Sequence, residues 1–131
     1  ESLQRAIAHF TRAVELDDSY APAHAALADC YNQLATVMVG SGAPGQWRPL
    51  AAAEALKALR IDPQSADAHA ALGYVRHYQL RWAEAERSLQ RAIELNPSYA
   101  LARLWYANLL MSRSRHDEAF EQVYDRGEWK T

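Results

Sequence analysis

The sequence predicts an all-α fold: a solenoid of antiparallel helix hairpins, about three and a half of them, wound into a right-handed superhelix. Three observations carry this. The phrase "AIELNPSYA" at 92–100 nearly repeats "AVELDDSYA" at 13–21, and a looser copy, "ALRIDPQSA", stands at 58–66. Ala58 and Ala92 are 34 residues apart, and Ala13 and Ala58 are 45 apart, the same period with 11 residues added. Half the chain is hydrophobic by class, with much of that alanine, and Gly and Pro number only 5 each. Alanine is the best helix former, and its small side chain lets helices approach closely.

Taken in order, the pattern predicts helices over 2–15, 20–36, 48–60, 65–79, 82–95, 98–112 and 116–126. Residues 1–131 form one domain. Within it, 1–18 is the second helix of a cut unit, with Ala6, Phe10 and Ala13 in register, and 19–63 is a unit with a loop inserted at about 37–48. The unit 64–97 is regular, and 98–131 has a divergent end, where Arg126 replaces a small residue and the tail reads "DRGEWKT". Asp62-Pro63 and Asn96-Pro97 are expected to start helices, the Asx oxygen as N-cap and the proline at the first helical position. The inserted stretch "TVMVGSGAPGQWRPL" at 36–50 reads as a loop because of Gly40, Gly42, Pro44, Gly45 and Pro49. Two readings of its Trp47 stand open: a cover over the end of the hairpin, or a contact for a partner.

The chain begins with Glu1 and enters a helical pattern at once, so it reads as a piece of a longer protein. The helix at 2–15 lacks its partner helix, and its bare apolar edge predicts self-association of the fragment.

Composition argues against several function classes. Charge is −2, from 14 basic and 16 acidic residues with no basic block, so no nucleic acid is expected to bind this segment. No apolar run approaches the ~20 residues of a membrane span, so no membrane contact is expected either. Cys30 stands alone, which excludes an internal disulfide and fits a reducing compartment. No His-x3-His or Cys-x2-Cys pair offers a metal site, and "GSGAPG" at 40–45 lacks the lysine and the strand of a phosphate loop. The segment is therefore expected to have no catalytic activity, no metal and no cofactor.

The unit follows the pattern W-x2-L-G-x2-Y, A-x3-F, P: Leu72-Gly73, then Ala85, Leu89, Ala92 and Pro97 in the best copy, with His69 replacing the large aromatic and Arg76 the tyrosine. His24 replaces the same aromatic in the preceding copy, and both histidines read as helix-packing residues. The chain resembles the tetratricopeptide repeat family. With "AHAALAD" at 23–29, "ADAHAALGYV" at 66–75, "WAEAERSLQRAIELNPSYA" at 82–100 and "LWYANLL" at 104–110, it is similar to the C-terminal repeat region of bacterial winged-helix transcriptional regulators and adenylate cyclases. That resemblance implies a protein–protein interaction module, the regulatory or sensory segment of a larger bacterial protein. An oligomerisation module that spaces effector domains and a small-molecule sensor are the alternatives. The expected compartment is the cytoplasm, or the periplasm in a membrane-anchored regulator.

Such arrays bind along a concave surface lined by the first helix of each unit. The candidates on it are Asp29, Asn32 and Gln33 from one unit, Asp67, Tyr74, His77 and Tyr78 from the next, and Leu104, Asn108 and Met111 from the last. The lining also includes Ala25, Ala70, Leu101 and Ser112, and Trp105 borders it. Asn32, Gln33, Asn108 and Ser112 suit an extended backbone; Tyr74 and Tyr78 offer flat apolar area with a polar tip. The partner is thus expected to be a protein or peptide, or a second copy of the chain. The positions at which chaperone-binding relatives hold a C-terminal carboxylate with Lys and Arg carry Ala25, Asp67, Ala70, Leu101 and Trp105 here, so tight binding to such peptides is not expected.

Overall fold

The computed structural model describes residues 2–37 and 44–123, and these contain seven α-helices and no strand. They are α1 (Ser2–Leu16), α2 (Ala21–Val37), α3 (Pro44–Ile61), α4 (Ala66–Tyr78), α5 (Trp82–Leu95), α6 (Ala100–Ser112) and α7 (His116–Val123). The main contacts run α2 to α3, α4 to α5 and α6 to α7, which are the hairpins; α2–α4 and α4–α6 contacts align the first helices along one face. The tail from 124 onward lies outside the described residues, as do Gly40 and Gly42 of the insertion.

The repeated phrase builds the same turn three times. The amides of Asp17, Asp62 and Asn96 donate to the carbonyls of Ala13, Ala58 and Ala92 at 2.8–2.9 Å. Three residues on, those of Tyr20, Ser65 and Tyr99 return to the carbonyls of Asp17, Asp62 and Asn96 at 3.0–3.2 Å. Each Asx oxygen then accepts from the residue two positions later: from both Oγ and N of Ser19, from N of Gln64, and from Oγ of Ser98. These side chains therefore hold the turn and do not cap the next helix, contrary to expectation. Pro63 and Pro97 occupy its second position, where a fixed φ is favourable. The cap of α4 is Ser65, whose Oγ accepts from Ala68 N at 3.1 Å.

A second device repeats with it. The side chain at the position given to a large aromatic in the family pattern reaches back six residues to the turn. His24 Nε2 lies 2.8 Å from Asp18 O, His69 Nε2 lies 2.9 Å from Pro63 O, and Arg103 Nε donates to Pro97 O at 2.8 Å. A side-chain nitrogen at that position thus meets the turn carbonyl in all three units.

The core is built from alanine. Ala28, Ala51, Ala55 and Ala71 pack with Leu72 and Val75, while Ala85, Ala107 and Ala119 pack with Leu89, Leu109 and Leu110. Cys30 is a buried free thiol within α2, and burial pushes its pKa up. Helix α1 buries no residue, and Leu16 at its end is 71% exposed.

The insertion differs from the expected loop. Relative to the regular unit, α2 runs on through 34–37 and α3 starts early, at 44, so most of the added residues lengthen the two helices by about a turn each. Pro44 and Gly45 begin α3, and Pro49, which corresponds to Ala83 near the start of α5, is carried into the helix interior by the added turn. Trp47 lies in this helical turn, half-buried, its ring stacked on Tyr31 at 6.0 Å and 15°.

Candidate functional site

Two hollows open between the first helices. The larger, about 330 Å³, is lined by Asp29, Asn32, Gln33 and Thr36 of α2, Tyr74 of α4, and Leu101 and Trp105 of α6. The second, about 210 Å³, is lined by Pro22, Ala25, Ala26 and Asp29 of α2, Asp67 and Ala71 of α4, and Tyr99 and Trp105 beside and on α6. Asp29 and Trp105 belong to both, so the hollows join.

The helical register explains who arrives. Asp29, Asn32, Gln33 and Thr36 are spaced by three and four along one face of α2. Leu101 and Trp105 are likewise four apart on α6. Trp105 stands where the earlier units carry Ala26 and Ala71, so a ring enters the space that two small residues leave. It packs against Tyr74 at 4.8 Å between centroids and 43° between planes.

The electrostatics are one-sided. The Asp29 carboxyl is pushed up by burial and by the Asp67 charge, against the hydrogen bond that Gln33 Nε2 donates to its Oδ2 at 2.9 Å. The Tyr99 hydroxyl is also pushed up, by burial first and then by the nearby Asp67 carboxylate and by Asp29. Thr36 Oγ1 and the Tyr74 hydroxyl share a hydrogen bond of 2.8 Å.

Of the residues expected on the concave face, Asp29, Asn32, Gln33, Asp67 and Tyr74 meet at these hollows. Asn32 is not the free donor expected of it: it is 2% exposed and its Nδ2 donates to Ala71 O at 3.2 Å, tying α2 to α4. His77 and Tyr78 continue the aromatic row toward the hairpin tip. Tyr74 and Tyr78 are 4.9 Å apart, His77 stacks on Tyr78 at 5.0 Å, and the Arg48 guanidinium lies 4.6 Å from the Tyr78 ring centre. Burial pulls the His77 pKa down. Leu104, Asn108 and Met111 are exposed on α6, and Met111 Sδ is 3.2 Å from His116 Nδ1. Trp47 is placed against Tyr31 and not in these hollows. Thr36 and Tyr99 were missed. The helical spacing from Asn32 points to Thr36, but Tyr99 matches Tyr20 of the repeated turn, which masks its second role.

Among the described residues no three His, Cys, Asp or Glu side chains converge to hold a metal ion, and no helix is long and apolar enough to cross a membrane.

The tetratricopeptide repeat family model matches residues 70–129. The type IV pilus assembly protein PilF of Pseudomonas aeruginosa is 33% identical over 69 residues, covering 53% of this chain and 27% of that protein. Among solved structures, a thermophilic tetratricopeptide repeat protein of Thermus thermophilus superposes with a TM-score of 0.80 at 24% identity, covering 92% of this chain and 61% of that one. MamA superposes with a TM-score of 0.66 at 25% identity over 92% of this chain and 64% of its own. The chain thus spans about a quarter of the pilus protein and under two thirds of either structure. Arrays of this kind typically bind proteins or peptides on the concave side. Residues 70–129 match the tetratricopeptide repeat, and the fold of the chain is the α-solenoid that such repeats build.

Proposed function

We propose that this segment binds an extended peptide or loop of a partner protein along its concave face, as the regulatory part of a larger cytoplasmic bacterial signalling or transcription-regulating protein. The observation that carries the reading is the joined hollow between α2, α4 and α6. It has flat aromatic walls, polar side chains at helical spacing and room for side chains of an occupant. The similarity of its repeat motifs to those of bacterial regulators supports the wider role.

The test is binding of fluorescent random decapeptide pools, read by anisotropy. Trp105→Ala and Tyr74→Ala are expected to weaken binding at least tenfold while the helix content holds. Unchanged binding in both variants sinks the reading.

A second reading is self-assembly, favoured by α1. Its apolar residues pack only partly, none of them buried, and Leu16 stands in solvent. Light scattering over a concentration series decides it: a mass that stays at one chain removes this reading.

A further inference from the structure

The joined hollow is rich in acceptors, and several of its donors are engaged. Gln33 is bonded to Asp29, and Thr36 and Tyr74 to each other. Two carboxylates from different helices face the same 210 Å³ space, and neither hollow is lined by a lysine or arginine. A separate acceptor is also unmet. Asn32 lines the larger hollow, 2% exposed, and its Oδ1 has no donor among the described residues, its Nδ2 being held by Ala71 O. A buried acceptor without a donor is costly, as are two like charges in a partly desolvated space. An occupant that brings positive charge relieves the second, since Asp29 and Asp67 face one hollow. Lysine and arginine are the permanently charged side chains that carry donors alone. The rings of Tyr99 and Trp105 in the same wall add a face that attracts a cation.

We propose that the bound segment is basic, and that one of its lysine or arginine side chains enters between Asp29 and Asp67 against the rings of Tyr99 and Trp105. The inference rests on the peptide-binding reading above and specifies the chemistry of its ligand. It sets this groove apart from one that clamps a carboxylate, since the sign of the charge is reversed.

The experiment uses decapeptide pools with a single fixed central residue, Lys, Arg, norleucine, Gln or Glu, and random residues elsewhere. Binding is read by fluorescence anisotropy at low and high salt. The Lys and Arg pools are expected to bind at least tenfold more tightly than the norleucine and Gln pools, with an advantage that shrinks in high salt. Asp29→Asn, close in shape, is expected to remove most of that advantage. Asp67→Lys, at an exposed position, is expected to turn the preference toward the Glu pool, which a mere loss of folding does not do. If all pools bind equally and Asp29→Asn changes nothing, the cation site is refuted and the peptide groove survives. If no pool binds at all, the peptide groove fails and takes the cation site with it.

Discussion

The α2/α3 hairpin and the α4/α5 hairpin come from one repeating unit, yet they close differently. In α4/α5 the helices meet as a hole and a knob. Gly73 leaves a gap, and fully buried Leu89 fills it: a Cβ on Gly73 would stand 2.6 Å from Leu89 Cγ and 3.3 Å from Ala85 O. The corresponding residues of α2/α3 are Ala28 and Ala55, both fully buried, so two methyl groups stand where the regular unit sets an isobutyl group against a bare Cα. The longer hairpin then adds area at its tip, where Trp47 stacks on Tyr31 and Arg48 lies over Tyr78 of the next unit. The Gly–Leu pair carries four side-chain carbons and the Ala–Ala pair two, so both the volume at a repeat interface and its division between the two helices vary. Length can be added at the tip because the turn at the other end, fixed by the repeated phrase, is untouched.

The sharpest way to break the comparison is to disturb the fit of Leu89 against Gly73. Leu89→Ala should lose about 2–5 kcal/mol by opening a cavity that Gly73 cannot fill. Gly73→Ala should lose about 1–3 kcal/mol, because the atom it meets is a branch point inside the core and not a flexible end. The double variant recreates the Ala–Ala arrangement of α2/α3. It should therefore lose clearly less than the sum of the single losses, as denaturant melts in a double-mutant cycle would show. Simple additivity would mean that the two sites do not share one space.

Next come the paired histidines. His24 is 2% exposed and held at both nitrogens, by Asp18 O at 2.8 Å and by Glu54 Oε1 at 2.7 Å. His69 makes the bond to the turn but stays half-exposed. His24→Ala should cost about 1–3 kcal/mol, as it leaves a buried acceptor unpaired, and His69→Ala about 0.5–1 kcal/mol. Burial alone would lower the His24 pKa; the Glu54 hydrogen bond, the Asp18 carbonyl and both carboxylate charges outweigh it, so the value stands above the usual 6.5. A raised folded pKa means extra stability that is complete below pH 6.5 and lost as pH climbs through the folded value. The melting-temperature gap between the wild type and His24→Gln should thus narrow from pH 5.5 to 8.5. A gap that widens with pH would contradict this charged pairing.

Removing the tip contact is a smaller change. Trp47→Ala should cost about 1–2 kcal/mol, the loss of a half-buried ring and its stack on Tyr31. If the same variant weakened binding of a peptide pool more than tenfold at unchanged melting temperature, the contact reading of Trp47 would hold over the covering one.

The hairpin period, the alanine core and the face of α2 that lines the groove were legible because each is a spacing, and spacing survives in one dimension. The acidic meeting of Asp29 and Asp67 was visible only as two separate positions, since 38 residues divide them and stacking alone joins them. The insertion misled because glycine and proline mark loops by local preference. Two of its prolines, Pro44 and Pro49, are instead held in a helix that packs on α2 along its length. Asn32 misled for a related reason: a polar residue on the concave face reads as a binder, and its use as a strut to Ala71 O depends on how closely α4 approaches.

The least effect is expected where the regular hairpins turn at their tips. Leu80 and Ser114 stand at equivalent places with φ of 64° and 61°, in the left-handed region that costs a side-chain-bearing residue. The backbone compels it: Arg81 N donates to Arg76 O at 2.9 Å and Arg115 N to Leu110 O at 2.8 Å, the six-to-one bond that ends both helices. Leu80 is 68% exposed, so its side chain returns little packing for that strain. Leu80→Gly should therefore raise stability by about 0.5–1 kcal/mol, the relief of strain being partly offset by glycine's freedom in the unfolded chain. If Leu80→Gly instead lowered the melting temperature by several degrees, Leu80 would be holding the tip by packing, and the two hairpins would be alike in relying on apolar area there.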